Sequence, residues 1–191
     1  MRMLARLDSK PLRLRPATPD DLDALLAIET EAFASDLISR RSLRRFITTS
    51  TAAALVAEQD GLTIGYALVL FRTISAMGRL YSIAVAPRSR GCGIGTALIA
   101  AAEATALARD CDWMRLEVRP ENAGAIARYL KAGYRQFGRR ADYYEDHSDA
   151  LLFEKPLRLD SPMQSSRLTV PFSSRLVDTR AALVSRKGPL S

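Results

Sequence analysis

One histidine and two cysteines in 191 residues close off several chemistries at once. A zinc site draws on three or four convergent nitrogen and sulfur ligands, and His147, Cys92 and Cys111 offer no such spacing. A Ser-His-Asp relay would rest wholly on His147, which stands in the charged, turn-like run Glu145-Asp146-His147-Ser148-Asp149. Neither cysteine belongs to a C-x-x-C pair. Both are expected to pack as small apolar groups rather than to form a disulfide. No run of about 18 apolar residues is present to span a bilayer. Met1 to Lys10 is charged and lacks the apolar core of a signal peptide. The expectation is a cytoplasmic protein with no metal.

Basic residues outnumber acidic ones, 28 to 21, for a net charge of +7. The excess is uneven. Residues 158–191 hold six basic and two acidic residues, so +4 of the +7 lies there. The ordinary balance of the rest does not point to a nucleic-acid partner. The expected organisation is an N-terminal extension over residues 1–10, one domain over 11–157, and a basic, Ser-rich extension, flexible or peripheral, over 158–191.

The domain reads as alternating strands and helices. Leu12-Arg13-Leu14-Arg15-Pro16 alternates apolar and basic as a half-buried strand does. Thr18-Pro19-Asp20-Asp21 has the signature of a helix start, and Leu22, Leu25, Leu26, Ile28, Ala32 and Phe33 form an apolar stripe behind it. A short helix follows over Ser39–Ile47, with Arg40, Arg41, Arg44 and Arg45 outward. These arginines read as a solvated basic face; the competing reading is recognition of acidic groups near an acceptor. Strands are predicted over 52–57, 62–71 and 80–86, the first two joined by an Asp60-Gly61 hairpin turn. Then come a helix over 95–109, a strand over 113–118, a helix over 122–131 stopped at Gly133, and strands over 134–137 and 150–154. This order predicts a mixed α/β (α+β) fold: a mostly antiparallel sheet flanked by helices, with one parallel crossover near its middle.

The most informative segment is Ser82-Ile83-Ala84-Val85-Ala86-Pro87-Arg88-Ser89-Arg90-Gly91-Cys92-Gly93-Ile94-Gly95-Thr96. A strand enters a loop with three alternate glycines and two arginines, and a helix starts at once. Glycines let backbone N–H groups approach an anion closely, and the helix N-terminus adds its dipole. The physical reading is a diphosphate site. A Rossmann loop would need a third glycine where Thr96 stands and a parallel domain before it, although Asp112 lies near the distance of a ribose-binding acid. A Walker loop would need G-K-[ST], which is absent.

The Arg90-x-x-Gly93-x-Gly95 run after that strand resembles the coenzyme A diphosphate loop of the GNAT N-acetyltransferases. Leu116-Glu117-Val118-Arg119-Pro120-Glu121-Asn122, with Ala125-Ile126 and Tyr129 to Tyr134 behind it, resembles that family's second signature. Within the family the chain is most similar to the RimI-type branch, which acetylates the N-terminal alanine of a ribosomal protein. The Tyr143-Tyr144 pair fits that branch, while Glu145 replaces the usual following proline and residues 158–191 have no counterpart.

The resemblance implies the GNAT fold over roughly residues 11–157, with the crossover at the acetyl-CoA site, and thioester aminolysis as the reaction. That reaction needs a base for the amine, fixed N–H donors for the oxyanion and an acid for the departing thiolate. It implies Glu117 as base and Tyr129 as acid. It implies that Ile83, Ala84 and Val85 hold the thioester and pantetheine through backbone freed by a bulge, and that Arg90, Gly91, Cys92, Gly93, Ile94, Gly95 and Thr96 hold the diphosphate. Asn122 would cap its helix and bond the pantetheine arm. The implied partners are acetyl-CoA and a primary amine, first a protein N-terminal α-amine; the alternatives are a lysine or small-molecule amine, or a non-catalytic acyl-CoA sensor. No membrane partner is expected, and oligomeric state leaves no signature.

Overall fold

A computed structural model of the protein describes residues 11–33, 36–72 and 75–158. The extensions predicted over residues 1–10 and beyond Arg158 lie outside the described residues.

Seven strands form one sheet in the order β1-β2-β3-β4-β5-β7-β6. Their ranges are β1 Arg13–Pro16, β2 Ala52–Gln59, β3 Leu62–Phe71, β4 Met77–Val85, β5 Trp113–Val118, β6 Arg135–Arg140 and β7 Ala150–Pro156. Every neighbouring pair is antiparallel except β4 and β5. The described residues also form four α-helices: α1 Leu22–Ala32, α2 Arg40–Thr48, α3 Ile94–Leu107 and α4 Ala123–Lys131. Among the described residues no helix is long and apolar enough to cross a membrane.

Local chemistry accounts for most boundaries. Asp60 and Gly61 both take positive φ (53° and 78°), as the tight β2–β3 hairpin turn requires. Ser39 caps α2 by accepting from the Ser42 N–H at 3.2 Å, and Asn122 caps α4 by accepting from Ala125 N–H at 3.1 Å. The start expected at Thr18 is a 3-10 turn over Pro19–Asp21 that leads into α1 at Leu22. β4 begins three residues earlier than the pattern suggested, because Met77, Gly78 and Arg79 pair with Trp113, Met114 and Arg115 of β5. Sequence alone does not reveal that neighbour.

Two apolar layers sandwich the sheet. On one face, Leu98, Ile99, Ala102 and Ala106 of α3 and Tyr129 of α4 pack on Ala67, Val69, Met114, Leu116 and Phe153. On the other, Leu22, Leu25, Ile28 and Leu43 of α1 and α2 pack on Val56, Tyr66 and Leu68. Each large apolar side chain removed from water contributes about 1.5–3 kcal/mol. The second layer holds a fully buried carboxylate, Glu29. Its Oε1 accepts the Ile38 N–H at 2.7 Å and its Oε2 accepts the Tyr66 hydroxyl, which is itself 3.0 Å from Ser82 Oγ. These bonds fasten the end of α1 and the approach to α2 onto β3 and β4.

Candidate active site

The site follows from two interruptions in β4. The first is the loss of its parallel partner. Pairing with β5 stops at Arg79↔Arg115, although β4 continues to Val85 and β5 to Val118. The strands part like the arms of a wedge. Beyond the apex, alternate backbone groups of β4 face open space instead of a ladder.

The second interruption is a bulge. Val69 pairs with Leu80 and Leu68 with Ser82, so Tyr81 is the extra residue. Leu80 packs against the α3 layer, whereas Ser82 and Ala84, of the same parity, face the α1 side. Tyr81 stays on the α1 side with Arg79, whose guanidinium lies 5.5 Å from its ring centroid. The bulge expected in Ser82–Val85 therefore stands one residue earlier.

A cavity of about 370 Å³ fills the wedge and joins the two faces of the sheet. On the α3 side it is lined by Arg90, Gly91, Gly93, Ile94, Gly95 and Thr96, and by Asn122, Arg128 and Tyr129 of the α4 region. Ile83, Ala84 and Val85 form its wall. On the α1 side it meets Phe33, Tyr81 and Glu117. Thus the residues to which the resemblance gives a catalytic or cofactor role all line one cavity except Cys92, which is exposed on the loop; Arg88 and the α2 arginines do not line it either. Cys111 is buried as expected; Cys92 is not, because its loop carries no layer above it.

The glycine loop is shaped for an anion. Gly91 and Gly93 take φ of +82° and +78°, which side-chain-bearing residues rarely adopt, and a Cβ at either would meet nothing within 4 Å. Gly93 is the N-cap of α3 and offers no side chain to its first turn. The opening N–H groups of α3 therefore keep their anion-binding capacity. Arg90 donates to Val85 O at 3.5 Å at one edge of the loop. From the other side, Arg128 lies across Gly95, its Nε 3.4 Å from where a Cβ would be.

Glu117 stands on β5 facing the α1 side. Its Oε2 accepts from Arg79 Nε at 2.9 Å, with the two side chains only 19% and 14% exposed. Arg79 Nη2 donates to the Tyr143 hydroxyl at 2.8 Å. Burial opposes the Arg79 charge, but Glu117 and then Tyr143 outweigh it and hold its pKa above the usual guanidinium value. Tyr129 is buried, and desolvation pushes its pKa up to about 12 against a smaller opposing effect of Arg128. It is a phenol at neutral pH, able to give a proton. The Tyr144 hydroxyl is buried without a hydrogen-bond partner, within electrostatic range of both Glu117 and Tyr129. Burial raises its pKa strongly, and the Arg119 guanidinium lies 4.1 Å from its ring centroid.

Sequence reading gave no role to Arg79 or Tyr144. A strand beginning at Leu80 left Arg79 outside it. The competing readings lose their footing. Asp112 sits at the start of β5, the opposite end from the loop, with its carboxylate 3.4 Å from Arg158 Nε. His147 is exposed in the β6–β7 loop, where its ring meets Asp142 and its backbone N–H donates to Tyr144 O.

Comparison with known proteins agrees with this geometry. Residues 22–134 match the model of the acetyltransferase (GNAT) family. An uncharacterized N-acetyltransferase of Methanocaldococcus jannaschii is 36% identical over 143 residues, 74% of this chain and 90% of the relative. An N-alpha-acetyltransferase of Sulfurisphaera tokodaii is 31% identical over 159 residues, 78% of this chain and 95% of the relative. The crystal structure of the ribosomal-protein-S18-alanine N-acetyltransferase from Escherichia coli aligns with a TM-score of 0.71 at 25% identity, covering 80% of this chain and 98% of that one.

Proposed function

The chain belongs to the acetyltransferase (GNAT) family and is an N-acetyltransferase, and from that premise we propose that it moves acetyl from acetyl-CoA onto the α-amine of a protein N-terminus. The observation that carries the reading is the single wedge: one cavity runs from the glycine loop on the α3 side to Glu117 and Phe33 on the α1 side. Donor and acceptor can approach from opposite faces and meet between the strands. Two relatives named for α-amine or alanine N-acetylation support the acceptor class.

The residues present fit the co-substrate. Left-handed Gly91 and Gly93, the first turn of α3, and the guanidinium groups of Arg90 and Arg128 form a cationic cradle for a diphosphate. When bound, acetyl-CoA supplies a thioester carbon open to attack by an amine. Backbone groups of Ile83 to Val85, unpaired on the β5 side, would hold the arm and the carbonyl. Asn122 Oδ1 is committed to the cap, which leaves its amide NH₂ for the same arm. Glu117 would take a proton from the acceptor ammonium, and the freed lone pair would bond to the acyl carbon. Tyr129 would give its proton to the sulfur as the carbon–sulfur bond breaks, and would take back the second proton that the nitrogen sheds in becoming an amide.

The test is coenzyme A release with matched peptides. Peptides with a free N-terminus and no lysine should turn over; peptides with a blocked N-terminus and one lysine should not. The reverse pattern would overturn the acceptor class.

A further inference from the structure

Arg79 stands at the apex of the wedge, on the last residue of β4 that pairs with β5. Its guanidinium is confined on three sides. The Tyr81 ring lies along one, Glu117 meets Nε and the Tyr143 hydroxyl meets Nη2. A guanidinium is planar and rigid, so fixing two of its nitrogens fixes the direction of whatever they hold. What they hold is half of a carboxylate. Glu117 Oε2 is engaged by Arg79; Oε1 has no hydrogen-bond partner among the described residues, and Glu117 lines the cavity. Two elements far apart in sequence are bridged in this way: the end of β5, and the loop between β6 and β7 that carries Tyr143.

We infer that Arg79 is a positioning residue that holds Glu117 with one carboxylate oxygen presented to the acceptor amine, and that ties this orientation through Tyr143 to the β6–β7 loop. The inference rests on the reading of Glu117 as the base. Arg79 does not touch the reacting atoms. It removes rotamer freedom from a two-oxygen acceptor and leaves one oxygen for the amine. Because the same guanidinium holds Tyr143, a shift of the loop moves the base. An acceptor seated beneath the loop would therefore align its own base.

The test is a double-mutant cycle in the full chain, with kcat, both KM values and Tm measured for Arg79→Met, Arg79→Lys, Glu117→Gln and the double variant Arg79→Met/Glu117→Gln. The double variant removes both charges, so it keeps the test open if Arg79→Met alone leaves an unpaired carboxylate that hinders folding. Arg79→Met is expected to lower kcat by roughly 10- to 100-fold, as loss of alignment does, with KM for acetyl-CoA unchanged. Arg79→Lys keeps the charge and one donor and should recover part of that loss. The double variant should lie within about twofold of Glu117→Gln alone, because a residue acting through another adds nothing once that other is gone. Tyr143→Phe should lower kcat by less than Arg79→Met and add little to it. Undiminished kcat in Glu117→Gln would sink the base and this proposal with it. An impaired Glu117→Gln whose defect multiplies with that of Arg79→Met would sink the proposal alone. So would a rise in the acetyl-CoA KM that accounts for the whole Arg79→Met defect.

Discussion

Of the arginine–carboxylate groupings on this sheet, two are built to opposite ends. Near β1, Asp21 accepts from both terminal nitrogens of Arg15, from the Thr18 N–H and hydroxyl, and at 3.4 Å from Thr63; Glu58 engages the remaining Arg15 nitrogen. Each oxygen of Asp21 is claimed. In the wedge, Arg79 claims one oxygen of Glu117 and leaves the other to the cavity. A saturated carboxylate ties elements together and is indifferent to visitors. An unsaturated one, held by one side, is ready for a donor that is not yet there. The contrast distinguishes a fastening from a site without appeal to motif.

The comparison can be broken at the wedge first. Glu117→Gln should lower kcat by about 10²–10⁴-fold with acetyl-CoA affinity kept, and should lower Tm because the buried Arg79 guanidinium loses its counter-charge; steady-state kinetics and a thermal melt would check it. Tyr129→Phe should cost kcat about 10- to 100-fold. In the unaltered enzyme the phenol stays protonated until pH nears 12, so the kcat profile should show no tyrosine-dependent fall below about pH 11. Replacing Arg128 with Ala should weaken acetyl-CoA by about tenfold, as expected for one charge-assisted contact. Titration calorimetry with acetyl-CoA and with acetyl-pantetheine would check it, since only the former carries the diphosphate and only its affinity should fall.

The Asp21 end gives the smallest effect and no catalytic one. Arg15, with the Thr18 bonds, holds the Asp21 pKa down to about 2 from 3.8. A depressed carboxylate stabilises the fold above its ordinary pKa, and that contribution disappears as pH falls through the folded value. Asp21→Asn should therefore cost about 1–2 kcal/mol at neutral pH and flatten the stability loss between pH 4 and 2. Denaturant melts across that range would check it. A kcat defect in Asp21→Asn at full folding would blur the contrast between the two groupings.

What was legible in the sequence was local. Left-handed glycines, a strand stopped by proline, an asparagine cap and the Asp60-Gly61 turn each leave a short signature. The glycine loop was read from such signatures, whereas Glu117, Tyr129 and the Ile83 to Val85 wall came from the resemblance carried by the Leu116 to Tyr134 run. What was hidden is set by neighbours distant in sequence. Arg79 meets Glu117 across 38 residues and Tyr143 across 64, and no pattern in the strand announces either. Glu29 is an intermediate case. It lies four residues after Leu25 and seven after Leu22, on the apolar stripe itself, so a charge there signalled a buried partner. Which partner it would be, Tyr66, depended on the sheet.

The cations around the cavity have a further consequence. Arg90 and Arg128 are the cations that line it, and none of the lining residues is a lysine. The lysines among the described residues stand elsewhere: Lys155 pairs with Glu103 at 2.6 Å, and Lys131 is exposed at the end of α4. A catalyst that strips a proton from an amine beside an activated acyl group would label any lysine of its own that entered the slot. A guanidinium keeps its proton at every physiological pH and does not attack. Under the proposed chemistry, the cations lining the cavity among the described residues are therefore ones that cannot become its product.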